Sequence, residues 1–206
     1  MIYGAKYWNN LLHYYCQVNN PTEEILRKTG ARGFLETCGS TAAVNCLAVH
    51  GYKLAIKCPG LYHPQPEEVL NDWFNDPRNY PALQQVRMDI KPEDLPGNRV
   101  PQYYPVAIED VFNVECQFRW FSTHHDLFDL FKKGCSIQLC LKSPSHYVAA
   151  VAYDDETSEI IINDPWPGRF PDGKGFNKRI SDMENLTNFA VVYPPLERRY
   201  DGRKVS

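Results

Sequence analysis

Cys38 is a candidate nucleophile, because a run of small residues, ETCGSTAAVN from Glu36 onward, leads into a helical pattern of apolar positions. A thiol in the first turn of a helix faces unpaired backbone N–H groups and the positive end of the helix dipole, and both favour the nucleophilic thiolate. The chain contains seven cysteines. Because a free cysteine is most often a small buried hydrophobe, the assignment of Cys38 depends on its partners.

A cysteine nucleophile needs a base, and the base needs a group that orients it. His146 opens an apolar strand that reads HYVAAVAY, and the polar stretch Asp154–Ser158 follows it as a turn. A second strand, Glu159–Asp164, is stopped by Pro165. Two strands around so short a loop predict a β-hairpin.

The hairpin register brings the base and a carboxylate together. If residues 154–156 form the loop, His146 lies directly across from Asp164. Paired side chains share one face with Cβ atoms about 5 Å apart, so the carboxylate can hold an imidazole nitrogen. The pairs that follow are apolar, Val148 with Ile162 and Ala150 with Ile160. A slip of one residue would separate the histidine and the carboxylate onto opposite faces.

These segments resemble the papain-like cysteine peptidases, and within them the bacteriocin-leader (double-glycine) peptidase branch with its stand-alone bacterial and phage relatives. The matching features are Cys38–Ser40 at a helix start, His146 at a strand start and Asn163–Pro165 at the end of the next strand. The resemblance is confined mainly to residues 30–50 and 135–170.

The resemblance implies an acyl-transfer site with a role for each of three residues. They are the nucleophile Cys38, the general base and acid His146, and the orienting residue Asp164. The family usually carries a glutamine six residues before the cysteine, and its amide helps to form the oxyanion hole. Arg32 occupies that position here, and its charge and length differ from those of an amide. Gln17 and Asn20 are alternative donors, and the sequence leaves the choice open.

Gly39 and Trp166 each stand close in sequence to a predicted catalytic residue. Trp166 either shields the His–Asp pair from water or is only a packed turn aromatic. His124 and His125 are poor metal chelators, because adjacent helical side chains point about 100° apart. No metal-site or nucleotide-binding motif is present, so neither a metal nor a cofactor is expected.

The length of the chain predicts one domain over residues 1–195, which the resemblance implies is papain-like, and a polar C-terminal tail over residues 196–206. The net charge of −3 and the lack of a long basic run argue against nucleic-acid binding. The first residues do not read as a signal peptide, and no apolar run is long enough to span a membrane. A cytoplasmic location is therefore expected, with export by another route left open.

Apolar periodicity predicts an α+β fold, in which an N-terminal helical part carrying Cys38 packs on a C-terminal antiparallel sheet carrying His146 and Asp164. Helices are predicted at residues 5–17, 21–28, 38–49, 66–75, 81–87, 106–113 and 123–133. Besides the hairpin, strands are predicted at residues 116–121, 135–141 and 189–193. The proline-rich stretch 91–105 is predicted to be an irregular loop, either a lid or a substrate rim.

Three functions remain open from the sequence. The leading hypothesis is a cysteine peptidase that cleaves an amide bond through a thioester intermediate. The second is a peptidoglycan-cleaving amidase or endopeptidase that uses the same three residues. The third is a catalytically impaired relative that binds a peptide or a protein. It is suggested by Arg32, which occupies the position of the family's usual glutamine.

Overall fold

The computed structural model describes residues 1–17, 37–52, 54, 65–91 and 97–196. Five α-helices and seven β-strands occur in these ranges. The helices are α1 (Cys38–Ala48), α2 (Pro66–Asn75), α3 (Tyr80–Val86), α4 (Tyr104–Phe112) and α5 (His125–Lys132). The strands are β1 (Ile2–Gly4), β2 (Gln117–Trp120), β3 (Ser136–Lys142), β4 (Ser145–Asp154), β5 (Glu159–Asn163), β6 (Lys178–Ile180) and β7 (Leu186–Tyr193).

The strands form one antiparallel sheet in the order β2-β7-β3-β4-β5-β6, with β1 paired to the far end of β4. Strand β4 lies near the middle, and nine of its ten residues are buried. Its run of valine, alanine and tyrosine side chains suits a strand covered on both faces. The α+β architecture expected from the sequence is confirmed.

Each face of the sheet carries its own hydrophobic core. Helices α1, α2 and α4 cover one face, and α5 covers the other. Helix α1 packs against β4 and β3, and every residue after Cys38 is buried. Small side chains allow this helix to approach the sheet closely, so its N-terminal residue has a fixed position.

The predicted helix over residues 5–17 is wrong. Strand β1 ends at Gly4, before this segment, and the segment itself contains a 3₁₀ turn at Leu11–His13 and no α-helix. Ala5 donates its backbone N–H to Val151 on β4, and Tyr7 donates its own to Val49 at the end of α1. Tertiary hydrogen bonds with the sheet and α1 therefore override the helical spacing of the aromatic residues.

Other predicted helices agree with the structure to within a few residues. Helix α2 has the predicted bounds because Pro66 starts it and Gln65 and Glu68 form a capping box. The predicted loop at 91–105 needs correction, since residues 97–99 and 101–103 form 3₁₀ turns and α4 begins at Tyr104. The predicted helix at residues 21–28 lies outside the described residues. No helix in the described ranges is long and apolar enough to cross a membrane.

The predicted hairpin register is also wrong. Asp154 pairs with Glu159, so the turn has four residues rather than three, and Ser158 in it has a positive φ of 56°. An irregularity between Ala150 and Ala152 then shifts the pairing again, and Ala150 faces Ile162 instead of Ile160. Strand β5 ends at residue 163, so Asp164 lies just beyond the ladder.

Candidate active site

Cys38 is the first residue of α1 and is only partly buried, whereas Gly39–Ala48 are all buried. A side chain at Gly39 would place its Cβ 2.2 Å from the Tyr104 hydroxyl and 2.6 Å from the Asn98 carbonyl oxygen. Only glycine therefore allows the first turn of α1 to lie this close to α4 and the turn before it. The predicted neighbour Gly39 thus fixes where the Cys38 thiol emerges.

His146 and Asp164 form a buried pair although the predicted register fails. His146 Nε2 lies 2.7 Å from Asp164 Oδ1, and the two side chains are 6% and 0% exposed. Cys38 lies close enough to the imidazole to help raise its pKa. Because Asp164 engages Nε2, the nitrogen left for the thiol is Nδ1. The structure thus brings together all three residues that the sequence singled out.

The carboxylate determines the charge state of the histidine. Burial alone would lower the pKa of His146, but the hydrogen bond to Asp164 and the nearby Cys38 thiol outweigh it and raise this pKa to about 9. The imidazole is therefore protonated at neutral pH. A protonated imidazole beside a thiol favours the thiolate, which is the reactive form of cysteine.

Asp164 has a partner for each of its polar groups. Oδ1 accepts a second hydrogen bond from the Trp166 backbone N–H at 2.8 Å, and Oδ2 accepts one from Arg169 Nη1 at 3.1 Å. The Tyr14 hydroxyl donates to the Asp164 backbone oxygen at 2.8 Å, and the Asp164 N–H donates to Gly175 at 2.8 Å. A buried carboxylate so fully bonded keeps one orientation.

Trp166 lies beside the imidazole, as predicted. Its ring centroid is 6.4 Å from that of His146, and the two planes meet at 66°. Trp166 is partly buried, and its backbone is tied to Asp164. The indole therefore covers one side of the His–Asp pair, which favours the shielding interpretation over that of a turn aromatic packed elsewhere.

Gln17 lies next to this pair, whereas Arg32 and Asn20 fall outside the described residues. The Gln17 backbone N–H donates to Pro165 at 3.0 Å. Its side chain is 1% exposed, and its amide oxygen has no hydrogen-bond partner among the residues that the structure describes. An oxyanion hole requires a donor, so the group of Gln17 that could serve there is its amide N–H and not the unpaired oxygen.

Sequence reasoning missed three residues that hold Asp164: Tyr14, Arg169 and Gly175. Two of these residues, Arg169 and Gly175, lie in the loop that follows Trp166. A Cβ at Gly175 would lie 2.1 Å from the Asp164 backbone oxygen and 2.3 Å from the Tyr14 hydroxyl, so the loop packs directly against the carboxylate residue. Arg169 lies five residues after Asp164, and a cation so close to a carboxylate in the sequence was the signal that could have predicted this contact.

In the described ranges no group of three or more His, Cys, Asp or Glu side chains could hold a metal ion. No curated protein matches the chain. Residues 12–195 match the Peptidase_C39 like family, a range that includes Gln17, Cys38, His146 and Asp164. The chain therefore belongs to the Peptidase_C39 like family and is related to the papain-like cysteine peptidases of the bacteriocin-leader type.

Proposed function

We propose that the protein is a cysteine peptidase that cleaves an amide bond with Cys38 as nucleophile, His146 as general base and acid, and Asp164 as the orienting residue. One observation carries the proposal. A buried imidazole is held by a carboxylate at 2.7 Å through Nε2, and Cys38 at the N-terminus of a helix lies close enough to help raise the pKa of this imidazole. This is the nucleophile, base and orienter arrangement that acyl transfer requires.

The reaction begins when the Cys38 thiolate attacks the substrate carbonyl carbon and the carbonyl electron pair moves onto oxygen. The tetrahedral intermediate collapses, the C–N bond breaks, and protonated His146 gives its proton to the leaving amine. A thioester remains on Cys38. Neutral His146 then takes a proton from water, whose oxygen attacks the thioester and releases the carboxylic acid and the thiolate.

The oxyanion needs at least two donors, and we assign them to the Cys38 backbone N–H and the Gln17 amide. The first backbone N–H groups of a helix have no intrahelical acceptor, so the Cys38 N–H is available. The position of Gln17 beside Pro165, directly after Asp164, and the burial of its side chain support its amide N–H as the second donor. Loss of one such donor typically lowers kcat by about 10²- to 10³-fold.

Thiol labelling tests the nucleophile without knowledge of the substrate. Iodoacetamide at pH 6 is expected to alkylate Cys38 well before Cys16, which is also free and partly buried and serves as the reference thiol. Peptide mapping by mass spectrometry gives the two rates. Equal labelling of the two cysteines would contradict an activated Cys38 and would favour a binding function.

Substrate assays distinguish the proposal from the alternatives. Hydrolysis of a peptide library supports the peptidase. Activity on purified cell wall in a zymogram, together with no activity on linear peptides, would replace it with a peptidoglycan hydrolase. Each activity is expected to disappear in the Cys38→Ala protein.

A further inference from the structure

A second thiol lies beside the candidate active site and has no part in the proposed reaction. Cys140 belongs to β3 and pairs with Tyr147 on β4, next to the pair that Leu141 forms with His146. Cys140 is a free cysteine, and its side chain is 6% exposed. Strand β3 therefore brings a free thiol to within one residue pair of the proposed general base.

The Cys140 side chain faces helix α1. Side chains alternate along a strand, so Ser136, Gln138 and Cys140 share one face of the sheet. The first two of them donate hydrogen bonds to α1. The Ser136 hydroxyl donates to the Cys46 backbone oxygen at 2.8 Å, and Gln138 Nε2 donates to the Gly39 backbone oxygen at 3.1 Å. Cys140 is the next residue of this row.

The row on β3 runs alongside α1 and ends level with the nucleophile. Ser136 lies at Cys46, near the C-terminal end of the helix, and four residues further along β3 the chain reaches Cys140. At about 3.4 Å per residue the strand advances about 13 Å over this distance. The eight residues of α1 from Cys46 back to Cys38 span about 12 Å. Cys140 therefore lies at the same height as Cys38.

The contacts of the two thiols agree with this register. Cys38 packs against a small buried cluster, which consists of Ala42, Cys140 and Tyr147. Burial raises the pKa of the Cys140 thiol, the Ser145 side chain and the His146 backbone lower it, and the Cys38 thiol is near enough to raise it. The charge of one cysteine thus acts on the other, and both lie beside the same histidine.

We propose that Cys140 is a resolving thiol, which converts peroxide-oxidised Cys38 into a disulfide between Cys38 and Cys140 and so protects the nucleophile. A thiolate beside a protonated imidazole is the form of cysteine that peroxide oxidises most readily. Without a second thiol within reach, its sulfenic acid is oxidised further to sulfinic and sulfonic acids, which thiols do not reduce. The inference needs a reactive Cys38 thiolate but no cleavage of a peptide.

The first step is a two-electron oxidation of Cys38 by hydrogen peroxide. The thiolate sulfur attacks one peroxide oxygen, the O–O bond breaks, and the departing hydroxide takes a proton from protonated His146 and leaves as water. Cys38 is then a sulfenic acid. The Cys140 sulfur next attacks the Cys38 sulfur, the S–S bond forms and the S–O bond breaks. The hydroxide leaves as water with the proton of the Cys140 thiol.

Disulfide mapping tests the pairing directly. The protein is treated with excess hydrogen peroxide at pH 7, its remaining thiols are blocked with iodoacetamide, and trypsin digestion follows without reduction. The peptide of residues 33–53 is expected to be joined to that of residues 134–142, with the loss of two hydrogen atoms. These peptides also contain Cys46 and Cys135. Cys46→Ala and Cys135→Ala proteins should therefore keep the bond, and Cys140→Ala should lose it.

Recovery of the Cys38 thiol measures the protection without a substrate. After peroxide treatment, dithiothreitol reduces any disulfide and is itself oxidised to a cyclic disulfide, and iodoacetamide at pH 6 then labels the Cys38 thiol. Recovery is expected to be nearly complete in the native protein and in Cys46→Ala, the matched control on the same helix. It should be at least about 10-fold lower in Cys140→Ala, which accumulates the sulfinic acid. Cys140→Val, which keeps the site filled, should behave in the same way.

The possible outcomes separate this proposal from the proposed function. A reversible disulfide between Cys38 and Cys140 in a protein that cleaves no peptide would support the resolving thiol while the peptidase proposal fails. A disulfide from Cys38 to Cys16, or equal recovery of Cys38 in the native and Cys140→Ala proteins, would overturn the resolving role. A Cys38 thiol that resists peroxide altogether would overturn it as well.

Discussion

Each end of helix α1 has a cysteine and a histidine near it, but the pKa of the histidine is shifted in opposite directions at the two ends. Cys38 at the N-terminus lies near His146. Near the C-terminal end the Ser136 hydroxyl donates to the Cys46 backbone oxygen and lies 3.0 Å from His50 Nε2. Burial lowers the pKa of His50 to about 4, whereas that of His146 is raised to about 9. Burial likewise raises the pKa of the Cys46 thiol.

A carboxylate accounts for the difference between the two histidines. His50 Nε2 lies 3.0 Å from the Ser136 hydroxyl and accepts the Ser136 backbone N–H at 3.2 Å. Burial lowers its pKa and outweighs a backbone hydrogen bond with Tyr193 that favours the protonated ring. His146 faces Asp164, so the protonated ring gains a charged partner. A cysteine and a histidine near one another therefore make a reactive site only when a carboxylate is added and the thiol lies at the positive end of a helix.

The largest expected difference between the two ends is catalytic. Cys38→Ala is expected to lower kcat/KM by at least about 10³-fold, because no other group replaces the thiolate. Cys46→Ala should leave kcat/KM within about twofold and lower the free energy of unfolding by about 1 kcal/mol, because it only opens a small cavity. Peptide hydrolysis and urea unfolding measure the two effects. A comparable loss of activity in both variants would break the comparison.

Asp164→Asn tests whether the carboxylate sets the state of His146. We expect kcat to fall about 10²- to 10⁴-fold, because the amide keeps the shape but not the charge. The pKa of His146 should fall from about 9, while that of His50 stays near 4. NMR titration of the ring protons in both proteins measures the two values. An unchanged His146 titration would show that another group holds the proton.

The two histidines should affect the free energy of unfolding on opposite sides of pH 6.5. The His146 pKa is raised from 6.5 to about 9, so its stabilisation is fully present below pH 6.5 and is lost as the pH rises to about 9. The His50 pKa is lowered from 6.5 to about 4, so its stabilisation is present above pH 6.5 and is lost as the pH falls to about 4.

The loss at low pH is the acid limb of the stability curve, and the loss at high pH is the alkaline limb. Each corresponds to about 3 kcal/mol in the free energy of unfolding. Urea unfolding from pH 4 to pH 9.5 gives the curve. His50→Gln is expected to flatten the acid limb alone, and Asp164→Asn the alkaline limb alone. A variant that flattens the limb assigned to the other histidine would reverse the assignment.

Arg169 offers the smallest and most specific test. Arg169→Gln removes a positive charge that faces Asp164 Oδ2, so the carboxylate attracts the proton of His146 more strongly and the alkaline limb of the kcat/KM profile should move to higher pH. At the pH optimum the loss should be about 10-fold or less. Arg169→Lys should restore the profile in part. A purely structural role would lower Tm without moving the profile, so a pH–rate series with a thermal melt decides between them.

Local signals in the sequence were enough for some elements and insufficient for others. Helix α2 could be bounded because a proline and a capping box mark its start. Cys38 could be placed at a helix N-terminus because small residues precede a helical apolar run. The segment before Gln17 could not be predicted, because its conformation is set by hydrogen bonds to β4 and α1 rather than by its own spacing.

The pairing of His146 with Asp164 was predicted for a reason that does not hold. The turn is one residue longer than assumed, and the irregularity near residue 151 shifts the strand again. Asp164 reaches the imidazole from beyond the ladder, held by the Tyr14 hydroxyl and the Gly175 carbonyl. Partners 150 and 11 residues away along the chain leave no periodic signal in a sequence.

The burial of α1 has a consequence for covalent inhibitors and activity probes. Cys38 is the one residue of this helix that is not buried, so an electrophile reaches α1 only at its tip. Trp166 lies beside the ring of His146, and Phe189 contacts the buried cluster against which Cys38 also packs, so aromatic side chains are near the thiol. A slim warhead carrying a flat aromatic recognition group is therefore a suitable design, whereas a bulky reagent would have no second approach along the helix.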